Sequence, residues 1–250
     1  MNVRVDLPRS AIGAGWPPIA LRETCRVAHD RTVPLWPYHR RRLQNGGCGA
    51  AVLEAVESAI EQALDHLPRR IPSRTRLTVL VDPSRGVSVV VQRRLSSLDA
   101  PSGVVGVPVV VDRAPELPPG GAKPADRAFW DDAQRQAAAA GGHQAILVSP
   151  DALVLDGGTA TVLVRRGETV LTPPSPPAIA GVARAWLIEN AGCFGVTIVE
   201  AEVRLSDLEE ADEVVYLNAY GGARADAQKD SSLARAIQRE LDRLWLPPKG

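Results

Sequence analysis

Residues 113–127 read RAPELPPGGAKPADR. Four prolines and two glycines in this stretch favour turns and extended backbone over regular elements. It therefore divides the chain. We set a small N-terminal α+β domain at 1–113, a linker at 114–125 and a larger C-terminal α/β domain at 126–250. The divide also carries a lysine, Lys123.

Working upstream, apolar residues recur at helical spacing from Ala50 to Leu67 and predict an amphipathic helix. Two strand-like runs follow, Arg76 to Asp82 and Gly86 to Arg93, split by a hairpin signature. Val104 to Asp112 reads as the last strand of the first half. Downstream, a helix is expected from Asp126 to Ala140, ended by Gly141-Gly142, then a strand from Gln144 to Ser149. Strands at Ala152–Leu155 and Thr161–Arg166 flank an Asp156-Gly157-Gly158 turn, and Thr169–Thr172 is another strand. A helix from Gly181 to about Gly192 and a strand from Val196 to Val203 come next. Ser206 to Glu209 reads as a capping box opening a short helix. A strand from Val214 stops at Asn218, and a last helix runs from Ser231 to Leu246. Two small mixed halves joined this way often bind a ligand between them, though pattern does not name it.

Composition narrows the function classes. At 250 residues the chain can bury a sizeable core. A formal net charge of zero argues against a protein that coats nucleic acid or an anionic membrane. No apolar run reaches the ~20 residues of a membrane span, and the first residues lack the apolar stretch of a secretory signal, so a soluble, cytoplasmic protein is expected. Cys25, Cys48 and Cys193 show no Cys-x-x-Cys spacing, and the four histidines are scattered, so neither a disulfide framework nor a metal is expected.

Of 29 basic residues only three are lysines: Lys123, Lys229 and Lys249. Arginine replaces lysine in most surface roles but cannot form a Schiff base, because its guanidinium never deprotonates. Lys229 and Lys249 lie in a polar C-terminal stretch and read as solvated. Lys123 is either a surface loop residue or a lysine kept for its chemistry.

Five stretches, in order from about residue 19 onward, carry a resemblance. They are Glu23-Thr24-Cys25-Arg26-Val27 with His39-Arg40-Arg41-Arg42-Leu43; Gly120 to Arg127; Leu155 to Thr161; Leu171-Thr172-Pro173-Pro174 with Ala180 to Arg184; and Ala211 to Tyr220. Together they resemble the class IV aminotransferases, the fold-type IV pyridoxal-phosphate enzymes. That resemblance implies a mixed α+β and α/β chain, with the two-domain fold of the D-amino-acid and branched-chain aminotransferases. It also implies pyridoxal 5'-phosphate as cofactor, a small-molecule amine substrate and a homodimer.

The resemblance assigns roles residue by residue. Arg42 would bind the cofactor phosphate, a task suited to a guanidinium fork; by itself it equally fits a basic helical face. Lys123 would hold the cofactor covalently and then act as acid and base. Asp156 would pair with the pyridine nitrogen where the family has glutamate, or else sit in a plain hairpin turn. Val182 and Ala183 would offer helix N-terminal amides to the phosphate. Asn218 and Ala219 would contact phosphate and substrate. Arg127 and Tyr220 are substrate-side candidates, whereas Arg26 reads as structural. Thr161 stands where the family has asparagine. The family's N-terminal strand and its glycine-rich stretch before the Glu-Thr pair read as absent or degraded.

The Lys-x-x-x-Arg spacing and the Leu217-Asn218-Ala219 run resemble the family's lyase branch. They imply conversion of 4-amino-4-deoxychorismate, or a related aromatic-precursor amine, to 4-aminobenzoate and pyruvate. An aminotransferase acting on an amino acid is the alternative. The departures at Asp156, Thr161 and Ala183 leave room for a non-catalytic member.

Overall fold

The protein is described by a computed structural model covering residues 2–72, 74–93 and 103–247. Lys249 lies outside the described residues.

The first half is built on a four-stranded antiparallel sheet. Its strands are β1 (Asn2–Pro8), β2 (Leu21–Arg26), β3 (Thr75–Asp82) and β4 (Gly86–Arg93), in the order β1-β4-β3-β2. Side chains alternate across a pleated strand. Leu21, Cys25, Leu77, Val79, Val87 and Val89 therefore share one face. That face packs on α2 (Ala50–Asp65) through Val52, Val56, Ala59 and Ala63. The opposite face carries Arg22, Thr24 and Arg76. The β3–β4 hairpin forms as its sequence predicts, with the Asp82 carboxylate accepting from the amides of Ser84 (2.8 Å) and Arg85 (3.2 Å). The N-terminal strand, read from sequence as absent or degraded, is present: β1 pairs with β4 along its whole length. Its Val3, Val5 and Leu7 pack on the first core. The basic run at 39–43 lies on a helix, α1 (Trp36–Asn45).

The strand expected at Val104–Asp112 forms as β5 (Gly106–Val110), but it pairs with the second half, running parallel to β6 (Gln144–Val148). With β7 (Val154–Gly157) these make a three-stranded sheet. A five-stranded sheet lies beyond it. Its strands are β8 (Thr161–Arg166), β9 (Thr169–Thr172), β10 (Thr197–Glu200), β11 (Glu213–Asn218) and β12 (Gly222–Ala225), ordered β10-β9-β8-β11-β12. The plain hairpin that Asp156-Gly157-Gly158 offered as the alternative reading does not form. Asp156 and Gly157 belong to β7, while the chain crosses to β8 in the other sheet. Gly157 permits that crossing, because a Cβ there would overlap the Ala160 carbonyl.

The helices of this half are α3 (Ala128–Ala139), α4 (Val182–Glu189), α5 (Leu205–Glu210) and α6 (Ser232–Trp245). The helix start read at Ser206 lies two residues earlier, at Arg204, whose amide donates to the Asp207 carboxylate (2.7 Å). The Ser231 hydroxyl caps α6, accepting from the Ala234 amide at 2.9 Å. Ile237, Leu241 and Trp245 of α6 bury against Leu163 and Leu217 of the large sheet.

The proline-glycine stretch is not a slack tether. Lys123 offers its carbonyl to the Arg22 amide (3.0 Å), and the Ala125 amide donates to the Ala20 carbonyl (2.8 Å). The segment thus lines the free edge of β2. On its other side the Gly121 carbonyl accepts from the Ala180 amide (2.8 Å), just ahead of α4. Gly120 (φ 62°) and Gly121 (φ 65°) supply the left-handed backbone that this sharp double turn needs. Among the described residues no helix is long and apolar enough to cross a membrane.

Candidate active site

Where β2, the Lys123 segment, β7, the N-terminus of α4 and the end of β11 converge, they enclose a cavity of about 310 Å³. That is within the size range of small-ligand sites.

On the first-half side, Glu23 of β2 is fully buried and faces α1. It accepts from Arg42 Nε (2.8 Å) and from a second Arg42 nitrogen, and it bonds His39 Nδ1 (2.6 Å). Burial alone would raise the Glu23 pKa, but Arg42 and His39 outweigh it and hold it down at about 2. The third Arg42 nitrogen donates to the Ala180 carbonyl (2.8 Å). The guanidinium is thereby fixed between the two halves at the cavity wall, with N–H donors to spare.

Lys123 lines the same cavity. Burial, then the charges of Arg127 and Arg42, lower its pKa to about 7, against the weaker opposing pull of Glu23. An amine so placed is substantially neutral at physiological pH and is therefore nucleophilic. Arg127 precedes α3 and donates to the Gly158 carbonyl at 2.6 Å, with its guanidinium 4.7 Å from the centre of the Trp130 ring.

Asp156 is buried in the lining of the same cavity. One oxygen accepts from Trp130 Nε1 (3.0 Å) and the Ile179 amide (3.2 Å), the other from the Gly157 amide (2.8 Å). Burial outweighs these donors and raises its pKa to about 6. The carboxyl therefore stands ready to share a proton with a basic nitrogen.

Gly181 begins α4, whose first helical bond runs from the Ala185 amide to the Gly181 carbonyl. The amides of Val182 and Ala183 lie ahead of that bond, where a helix has no internal acceptors and its dipole favours anions. Thr161 sits beneath, so close that a Cβ on Gly181 would overlap its hydroxyl. At the end of β11 the Asn218 side chain folds the turn, accepting from the amides of Tyr220 (3.1 Å) and Gly221 (2.6 Å). Tyr220 does not leave its hydroxyl to water: it donates to the Arg74 carbonyl at 2.8 Å.

All nine site residues proposed from the sequence line this one cavity, Ala219 included. Arg26 is buried in packing instead, with its guanidinium 4.6 Å from the centre of the Trp245 ring. Sequence reasoning missed Arg22, Thr24 and Arg76, which also line the cavity. Their signal was the period of two that puts Arg22 and Thr24 on one face of β2.

A family model described as Amino-transferase class IV matches residues 20–225. The chain belongs to the class IV aminotransferase family. Members of that family are pyridoxal-phosphate enzymes, and the fold agrees. A hypothetical aminotransferase from Mycobacterium tuberculosis superposes with a TM-score of 0.72 at 20% identity, over 97% of this chain and 98% of that one. The 4-amino-4-deoxychorismate lyase of Pseudomonas aeruginosa gives 0.70 at 19% identity, over 97% and 98%. The Escherichia coli branched-chain amino acid aminotransferase gives 0.68 at 16% identity, over 93% and 87%. No curated protein sequence matches the chain. At such identities the superpositions establish the architecture that class IV aminotransferases share, and the chemistry of this one is read from its own residues.

Proposed function

We propose that the chain is a pyridoxal-phosphate-dependent lyase converting 4-amino-4-deoxychorismate, or a related aromatic-precursor amine, to 4-aminobenzoate and pyruvate. The observation that carries this reading is a near-neutral lysine with an arginine four residues on, sharing one cavity with the Leu217-Asn218-Ala219 turn.

The cavity suits the cofactor's three functional ends. Arg42 and the amides of Val182 and Ala183 would hold the phosphate, with Asn218 and Ala219 beside it. Asp156 would hold the proton of the ring nitrogen; its raised pKa suits a group that shares a proton rather than surrendering it outright. Lys123 would hold the aldehyde carbon. When bound, the cofactor supplies an electron sink for deprotonation beside the amine.

In the reaction, Lys123, once freed by the incoming substrate amine, would be the base that removes the proton from the carbon bearing that amine. The carbon–oxygen bond to the enolpyruvyl group breaks, the ring becomes aromatic and the departing enolate gains a proton to become pyruvate. Arg127 and Tyr220 line the substrate side. We also expect a homodimer, which light scattering would check, and a cytoplasmic location.

A class IV aminotransferase acting on an amino acid is the second reading, because one lysine and one cavity serve both reactions. Purified protein with pyridoxal phosphate should form 4-aminobenzoate and pyruvate in equal amounts from aminodeoxychorismate. Absence of both products, with keto-acid formation from an amino-donor panel and 2-oxoglutarate or pyruvate, would transfer the assignment to the aminotransferase.

A further inference from the structure

The cavity holds more positive charge than its expected cofactor explains. Arg22, Arg42, Arg76, Arg127 and Lys123 line it, against only Asp131 and Asp156. Arg42 is neutralised by Glu23. Arg76 has a partner within the protein. Arg127 is anchored on the Gly158 carbonyl and the Trp130 ring. Arg22 differs: among the described residues its side chain makes no hydrogen bond or ion pair, although it is only partly exposed. Its amide donates to the carbonyl of Lys123 itself, so the two residues stand side by side on paired backbones. Its charge is also close enough to depress the pKa values of both Lys123 and Arg127.

A guanidinium that lines the cavity and is held by no acceptor of the protein is free to meet an anionic ligand, and its planar fork matches a carboxylate. We propose that Arg22 is a specificity residue that binds a second carboxylate on the substrate, remote from the reacting carbon, so that this enzyme selects dianionic substrates carrying two carboxylates. Arg127, on the next segment, shares that anion's field. The inference rests on this cavity being the substrate site of the proposed lyase, but not on which reaction follows.

The test is ligand binding without turnover. Glutarate and valerate have five carbons each and differ by one carboxylate. Calorimetric titration of the cofactor-loaded enzyme should find glutarate bound at least about ten-fold tighter than valerate, the scale of a charge-assisted bidentate contact. Arg22→Gln should remove most of that preference and leave valerate unchanged, while Arg22→Lys should keep part of it. Equal wild-type affinities for the two acids would overturn the proposal without any variant, as would an Arg22→Gln enzyme that keeps the full preference. Because the titration needs no turnover, it can fail while the lyase assay succeeds, and the reverse.

Discussion

Glu23 grips Arg42 with both carboxylate oxygens while His39 closes on it from the same helix, and all three side chains are buried. A guanidinium so braced cannot swing, so an anion entering the cavity meets donors already oriented. The brace also has a cost, because a buried ion pair is stabilising only while both partners remain. Replacing Glu23 with glutamine should destabilise the protein by about 3 kcal/mol and weaken pyridoxal-phosphate binding at least ten-fold. Urea melts and cofactor titration measure the two effects.

The same pair sets the response to acid. Glu23 has a pKa near 2 in the native state against 4.5 ordinarily. Between these values the unfolded chain binds a proton that the native protein refuses, so stability rises with pH there and levels off above. The contribution is thus present above pH 4.5 and lost as pH falls towards 2. Melting temperature against pH should show this slope in the wild type and a shallower one in Glu23→Gln. Equal slopes would refute the account.

Lys123 should capture pyridoxal phosphate with a rate that rises through a midpoint near pH 7 rather than 10.5. Arg127 is the largest charged contributor to that depression, so Arg127→Gln should move the midpoint upward. Borohydride trapping followed by peptide mapping reads both the midpoint and the modified residue. Modification of Lys229 instead would remove Lys123 from its role.

Trp130 donates to the buried carboxylate of Asp156 at 3.0 Å. Trp130→Phe removes a bond that favours the charged form of Asp156, so the Asp156 pKa should climb further above 6. The acid limb of the activity profile should shift to higher pH, with turnover reduced about ten-fold at neutrality. An unmoved acid limb would mean that Asp156 does not govern it.

Gly181→Ala should abolish cofactor binding, because the new methyl collides with the Thr161 hydroxyl under the start of α4. Adding Thr161→Ala to the same chain should recover part of the binding. Cofactor absorbance after gel filtration distinguishes the two.

What the sequence disclosed follows from how each signal arises. The α2 helix, the β3–β4 hairpin and α6 were legible because each buries a single face, which stamps one period on its residues. Asp156-Gly157-Gly158 misled because acidic and glycine residues suit a hairpin and a crossing between sheets equally well. The N-terminal strand went unrecognised because so short a run offers little beyond alternation, with Val3, Val5 and Leu7 turned towards the core. Lys123, Arg42 and Asp156 could be named from local motifs. Arg22 could not, because its relation to Lys123 exists only once two distant segments lie edge to edge.

That edge-to-edge seam has a consequence for assembly. A strand shifted by one residue presents its opposite set of side chains. If the proline-glycine segment slipped one position along β2, the amine and the neighbouring guanidinium would no longer converge. Retention of the coenzyme is therefore also a report on register, because a chain that folds with this seam mispaired would stay colourless.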